Sequence, residues 1–244
     1  MRFEHTDTYN WENAMRGLRH PMESYDKADT MWYDDTVENE YKCRNQALDV
    51  DSKYCKFLGI GPNDMDLAQR MIKAGSPNDK FLRQIFVSID ITAPLYLWKE
   101  LDQYRVGCTT NSTSTMHKLA TTPITIDCFE MDDYDCSLKM YDREPYNIDY
   151  YIDDVWDCII DYCETLRKRY LKTKDKRYWK ELIRILPESW LQTRTWTANY
   201  AVLRNIIHWR QNHKLSEWQQ FIDHCRTLPY ANELLFYNQS FENK

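Results

Sequence analysis

The sequence predicts an α/β chain of the α+β kind: a central, mostly antiparallel sheet flanked by helices, with the long helices in the C-terminal half. Three observations carry this. Phe81–Thr92 and Ser189–Ala198 alternate β-branched and aromatic residues with polar ones, as strands do. Tyr150–Leu171 and Asp175–Leu186 are long stretches with apolar residues at helical spacing. Asn199–Trp218 then places Val202, Leu203, Ile206 and Ile207 on one helical stripe.

The other elements follow in order. Residues 1–30 combine a strand-like opening with a short helix over Asn10–Leu18, buried through Trp11, Ala14, Met15 and Leu18 and ended by His20-Pro21. Arg16, Arg19, Ser24 and Lys27 cluster after it, as a solvated face or an anion site. The acidic, tyrosine-rich MWYDDTVENEY reads as loop or short helix. Met65–Ala74 is a helix with Asn63 as N-cap and Gly75 as its stop. Ala93–Tyr104 is a helix with Pro94 near its first turn. Arg105–Leu119, dense in hydroxyls, reads as irregular backbone, either a capping loop or a ligand loop. Pro123–Met131 reads as a half-buried strand and residues 132–149 as an acidic linker. Tyr150–Leu171 runs from acidic to basic, matching a helix dipole. Glu217–Leu228 is the last helix. The 244 residues are expected to form a single domain: a divergent segment 1–62, a helix and strand core 63–131, and a helical half 150–228.

Composition excludes several functions. The net charge of −6 argues against duplex nucleic acid as partner, since phosphate neutralisation needs a basic face. With 5 Gly, and GIG at Gly59–Gly61 followed by proline, no phosphate loop or dinucleotide fingerprint is present. The 8 Cys include no CxxC pair, so no metal site is expected. No leader and no long apolar run are read, and the expectation is a cytoplasmic protein with reduced thiols and no membrane contact. The 14% aromatic content favours stacking surfaces, an aromatic core or an oligomer interface.

In NYAVLRNIIHWRQNHKLSEW, Asn199, Asn205, Arg210 and His213 lie in or just past the apolar pattern, where a solvated face would carry Lys and Glu. Amide, guanidinium and imidazole together suit a planar, anionic, hydrogen-bonding ligand. Spacing alone favours a core helix with satisfied polar groups and one surface histidine.

Taken with Leu186-Pro187 before it, this stretch resembles the C-terminal half of the flavin-dependent thymidylate synthases, especially divergent bacterial and phage members. Those carry a Leu-Pro, a strand, then a helix with two Asn, an Arg and a following His. The N-terminal RGLRHPMESYDKAD is similar too. In the middle, RVGCTTNSTSTMHKL stands where the family has its long signature, with Asn111 and Ser114 at its Asn and second Ser. Ser112, Met116 and His117 replace its Glu, late Arg and Tyr, and Arg105 lies one position out of register. Ile183 stands at a family arginine, with Arg184 beside it. The resemblance implies an FAD-dependent enzyme that converts dUMP to dTMP with methylenetetrahydrofolate and NADPH, as a homotetramer. It assigns Arg210 and Ser114 to catalysis. It places Asn111, Asn205, His213, Arg105 and Asn199 at the cofactor, and Ser114, Lys118, Arg184 and His117 at the substrate. It also puts Arg210 and His213 at one shared cavity. The departures leave two alternatives: flavin-dependent modification of another pyrimidine nucleotide, or a catalytically silent binding protein of the same fold.

Overall fold

The computed structural model describes residues 1–34, 41–43, 55–143 and 148–239. In chain order their elements are β1 (Arg2–Tyr9), α1 (Trp11–Arg19), β2 (Met31–Asp34), β3 (Tyr41–Cys43), β4 (Cys55–Gly59), α2 (Pro62–Ala74), β5 (Phe86–Pro94) and α3 (Leu95–Leu101). They continue with β6 (Thr109–Ser112), α4 (Thr115–Lys118), β7 (Lys139–Arg143), β8 (Ile148–Tyr151), α5 (Ile152–Thr173), α6 (Lys176–Ile185), β9 (Leu191–Asn199), α7 (Tyr200–Arg210) and α8 (Ser216–Arg226). The strands form an open four-stranded antiparallel sheet of order β1-β5-β9-β6, a three-stranded sheet of order β3-β2-β4 and a β7-β8 hairpin.

The chain forms two compact units. One comprises Met1–Arg2, Ile91–Gln103 and Asn111–Thr195; the other comprises Phe3–Asp90, Tyr104–Thr110 and Trp196–Lys244.

In the second unit, Val87 and Ile89 alternate into the core from β5, and α7 adds Leu203, Ile206 and Ile207, all fully buried. The Arg204 guanidinium donates to the carbonyls of Leu234, Leu235 and Tyr237 at 2.7–2.9 Å, tying the C-terminal turn to α7. Arg19 is not part of an anion site. It is buried and ion-paired with Asp64 at 2.7 Å, while Asp64 also accepts the Thr30 amide and hydroxyl. The N-terminus of α2 is capped from a distance. Asp29 accepts the Asn63 and Asp64 amides at 2.8 and 3.0 Å, and Asn63 itself lies inside the helix. Gly61 is required there, because a Cβ would collide with Asp29.

In the first unit, α5 and α6 pack over Leu119, Ile124, Phe129, Cys163, Leu166 and Leu182. Arg167 of α5 forks onto both oxygens of Glu164 at 2.6 Å and donates to the Ala120 carbonyl, and Glu164 accepts the Ile124 amide.

Several elements differ from the sequence reading. Phe81 and Leu82 are buried but not in a strand: Asn78–Gln84 is a 3-10 helix and the strand starts at Phe86. Pro123–Met131 is not a strand. Its backbone closes locally in a turn over Ile126–Cys128, and Ile126 faces outward. Met31–Asp34 and Tyr41–Cys43 are paired strands rather than loop or helix; residues 35–40 lie outside the described residues. The acidic linker holds the β7-β8 hairpin, with 144–147 outside the described residues.

Candidate functional site

Helix α7 begins where β9 ends. Asn199 is buried in extended conformation, and its side-chain oxygen accepts the Val202 amide at 3.1 Å. That bond is an N-cap, so the Asn199 oxygen is committed to the helix. Its amide nitrogen is turned towards Gly107. At φ +80° Gly107 occupies the left-handed region, and a Cβ there would lie 2.8 Å from Asn199 Nδ2. Between them is a cavity of about 270 Å³, lined by Gly107, Asn199, Val202 and Asn205 together with Arg83 and Val106. Asn205 is exposed on α7. Asn199 and Asn205, expected at one cofactor, thus share one cavity.

One turn further on, the same loop meets α7 again. Arg210 Nε donates to the Tyr104 hydroxyl at 2.9 Å. Its guanidinium carbon lies 4.8 Å from the Trp218 ring centre and 5.6 Å from that of Tyr104. His213 approaches Trp218 edge-on at 6.2 Å, and its Nδ1 accepts the Leu215 amide at 3.2 Å. The neutral ring therefore carries its proton on Nε2. Arg210 and His213 do converge, but on the buried Trp218. Neither lines the cavity of Asn199 and Asn205.

The remaining candidates fall elsewhere. Arg105 is exposed in the loop that precedes β6. Asn111, Ser114, His117, Lys118 and Arg184 belong to the other unit. Asn111 is exposed on β6, so this part of the stretch is an edge strand rather than irregular backbone. Ser114 is half-buried, and its carbonyl accepts the Lys118 amide at 2.9 Å, closing the single turn of α4. Lys118 is exposed; the side chains of Met116 and His117 lie outside the described residues. Arg184 is exposed and pairs with Glu181 at 2.9 Å.

What holds the Ser114 loop comes from β9. The Thr113 amide donates to the Thr193 carbonyl at 2.9 Å. Buried Gln192 donates to the Thr113 carbonyl at 2.8 Å and to the Thr115 hydroxyl at 3.2 Å, and its oxygen accepts Arg194 Nε at 3.0 Å. Arg194 stacks 4.4 Å over Trp98 and pairs with Asp102.

No thiol is activated as a nucleophile in these places. Burial pushes Cys108 and Cys163 up to about 11, and Cys225 higher still.

No family model matches the chain, and no curated protein matches it. Solved structures do. A flavin-dependent thymidylate synthase from Helicobacter pylori, complexed with FAD and dUMP, aligns with a TM-score of 0.61 over 98% of this chain and 99% of its own, at 15% identity. A second structure of thymidylate synthase X from the same organism, with FAD and dUMP, gives 0.60 over 99% and 100%, at 16% identity. The chain has the fold of the flavin-dependent thymidylate synthases. The sequence reading did not single out Tyr104, Gly107 and Trp218, which surround the α7 candidates, nor Gln192, which holds the Ser114 loop in the other unit. Trp218 stood in HKLSEW, but nothing in its spacing marks it as a platform for Arg210. Among the described residues, no helix is long and apolar enough to cross a membrane.

Gly107 gives a direct test of the cavity. Gly107→Ala is expected to weaken FAD binding at least tenfold, because the methyl group enters the cavity wall and the left-handed backbone resists any side chain by ~1–2 kcal/mol. Gly75→Ala is the control. It is also a positive-φ glycine, at φ +70°, but nothing lies within 4 Å of its Cβ, and flavin affinity should be unchanged. Flavin fluorescence titration reads both.

Proposed function

We propose that this protein is an FAD-dependent thymidylate synthase-like methyltransferase, converting dUMP to dTMP with methylenetetrahydrofolate and NADPH as a cytoplasmic homotetramer. The observation that most supports this is a double contact between one loop and one helix. Gly107 closes a cavity against Asn199 and Asn205, while Tyr104 holds Arg210 one helix end away.

The donor set fits part of a flavin dinucleotide. Two amides and the Arg83 guanidinium can meet a ring edge or a pyrophosphate, and about 270 Å³ takes one ring system, not the whole molecule. Reduced FAD, when bound, supplies the hydride that completes the transferred methyl group. The protein's residues do the rest. Asn205 and Asn199 hold a ring edge. Arg210, held by Tyr104 and Trp218, presents a fixed cation to the pyrimidine where negative charge develops, with no reorganisation needed at that moment. His213, against Trp218, borders the stacked rings. Ser114, on the loop tied by Gln192, contacts the nucleotide, with Asn111 at the cofactor. Arg105, Lys118, Arg184 and His117 are the candidate polar partners for the ligands.

Titration with FAD, followed by dUMP, tests this. The expected result is a bound-flavin absorbance spectrum that is perturbed on adding dUMP. A colourless protein that leaves the FAD spectrum unchanged would refute it.

A second reading is favoured by Met116, which stands where the family has its phosphate arginine. Loss of a charged donor costs about 1.5–3 kcal/mol, so the substrate in this reading is a different pyrimidine nucleotide. Parallel titrations with dUMP, dCMP and UMP separate the two. Tightest binding of dUMP supports thymidylate synthesis, and a preference for either of the others supports the second reading.

A further inference from the structure

The groove between α5 and α6 shares no residue with the α7 cavity, and of the candidate ligand partners named above it holds only Arg184. It has a volume of about 690 Å³, within the range of small-molecule sites. Four cations line it, Arg169 from α5 and Arg177, Lys180 and Arg184 from α6, against a single carboxylate, Glu181. This concentration of positive charge stands out in a protein of net charge −6.

The pairing of these groups is uneven. Arg177 is held by Asp175 through contacts of 2.6–3.1 Å, and Arg184 by Glu181 at 2.9 Å. Arg169 and Lys180 have no carboxylate within ion-pair distance among the described residues. Arg169 instead lies 5.8 Å from the Tyr178 ring centre. Helix dipoles do not explain the set. Lys180 is in the middle of α6, and Arg177 is in its first turn, where a cation is disfavoured. Like charges brought together across a groove repel unless an anion joins them. A single phosphate would satisfy one or two of these groups; a chain of phosphates carries enough oxygens for all four.

We propose that this groove binds the polyphosphate chain of a nucleoside triphosphate, at a site separate from the α7 cavity. The cations take the phosphates, and the Tyr178 side of the groove borders the nucleoside. The proposal does not rest on the flavin chemistry.

Calorimetric titration of the full chain with ATP, inorganic tripolyphosphate, AMP and adenosine tests it. ATP and tripolyphosphate should bind, AMP at least tenfold more weakly and adenosine not at all. Affinity should fall as salt rises from 50 to 200 mM, roughly as exposed charge pairs are screened. Arg169→Gln/Lys180→Gln should weaken ATP binding at least tenfold, and Arg169→Glu/Lys180→Glu should abolish it. FAD titration and thermal melting of the same variants show that the fold is retained. Absence of ATP and tripolyphosphate binding at millimolar concentration would overturn the proposal, as would unchanged ATP affinity in a folded double variant. Neither result bears on whether FAD binds.

Discussion

Arg210→Ala is expected to reduce thymidylate formation by about 10²–10³ while leaving FAD binding within a factor of a few. The range is that of removing one preorganised charged donor from a transition state. The side chain does not line the cavity of Asn199 and Asn205 proposed for the flavin, so cofactor affinity should not sense its loss. It does stack on Trp218 and bond to Tyr104, so stability should fall by about 1–2 kcal/mol. Arg210→Lys keeps the charge but not the planar fork that spans Tyr104 and Trp218, and should recover little activity. Complementation of a thymidine auxotroph provides the measurement. Rescue by the wild-type chain and failure by a flavin-binding Arg210→Ala variant would also exclude a silent scaffold. Equal rescue by both would remove Arg210 from the catalytic account.

The second large effect concerns stability. Arg167→Ala should destabilise the α5–α6 unit by about 3–5 kcal/mol, because Glu164 loses both guanidinium bonds and keeps only the more distant, exposed Lys168 at 3.6 Å. For a chain of this size that is a fall in melting temperature of roughly 6–20 °C. The pair also sets an acid dependence. Arg167 holds the Glu164 carboxyl down at about 2, against an ordinary value of 4.5 in the unfolded chain. Its stabilisation is therefore complete above pH 4.5, declines as pH falls, and is gone below about 2. The wild type should lose its margin over Arg167→Ala across that window. A constant difference in denaturation midpoint from pH 7 to 2.5 would show that the ion pair contributes nothing.

The helices were the most legible part of the sequence. Trp11, Ala14, Met15 and Leu18 are buried on α1 as their spacing requires, and α5 to α8 lie within a few residues of their apolar stripes. Short elements were less legible. Ile124 and Phe129 are both buried, yet the backbone between them turns locally, because burial at two points does not specify a strand. The cap of α2 was misread for a related reason: the capping carboxylate, Asp29, is more than thirty residues away in the chain. The cluster around Arg19 looked like a ligand site only because its partner, Asp64, is equally remote.

The sequence by itself determined the periodic elements and the lack of a glycine-rich phosphate loop, and it singled out Asn199, Asn205, Arg210 and His213 as candidates. These follow from residue type and local spacing, which are properties of contiguous chain. Tertiary structure alone decided that Asn199 spends its oxygen on a cap, that Gly107 closes the cavity beside it, and that Arg210 and His213 meet at Trp218 rather than in that cavity. Each depends on where a distant segment packs, and that is set by the burial of whole faces rather than by any local pattern.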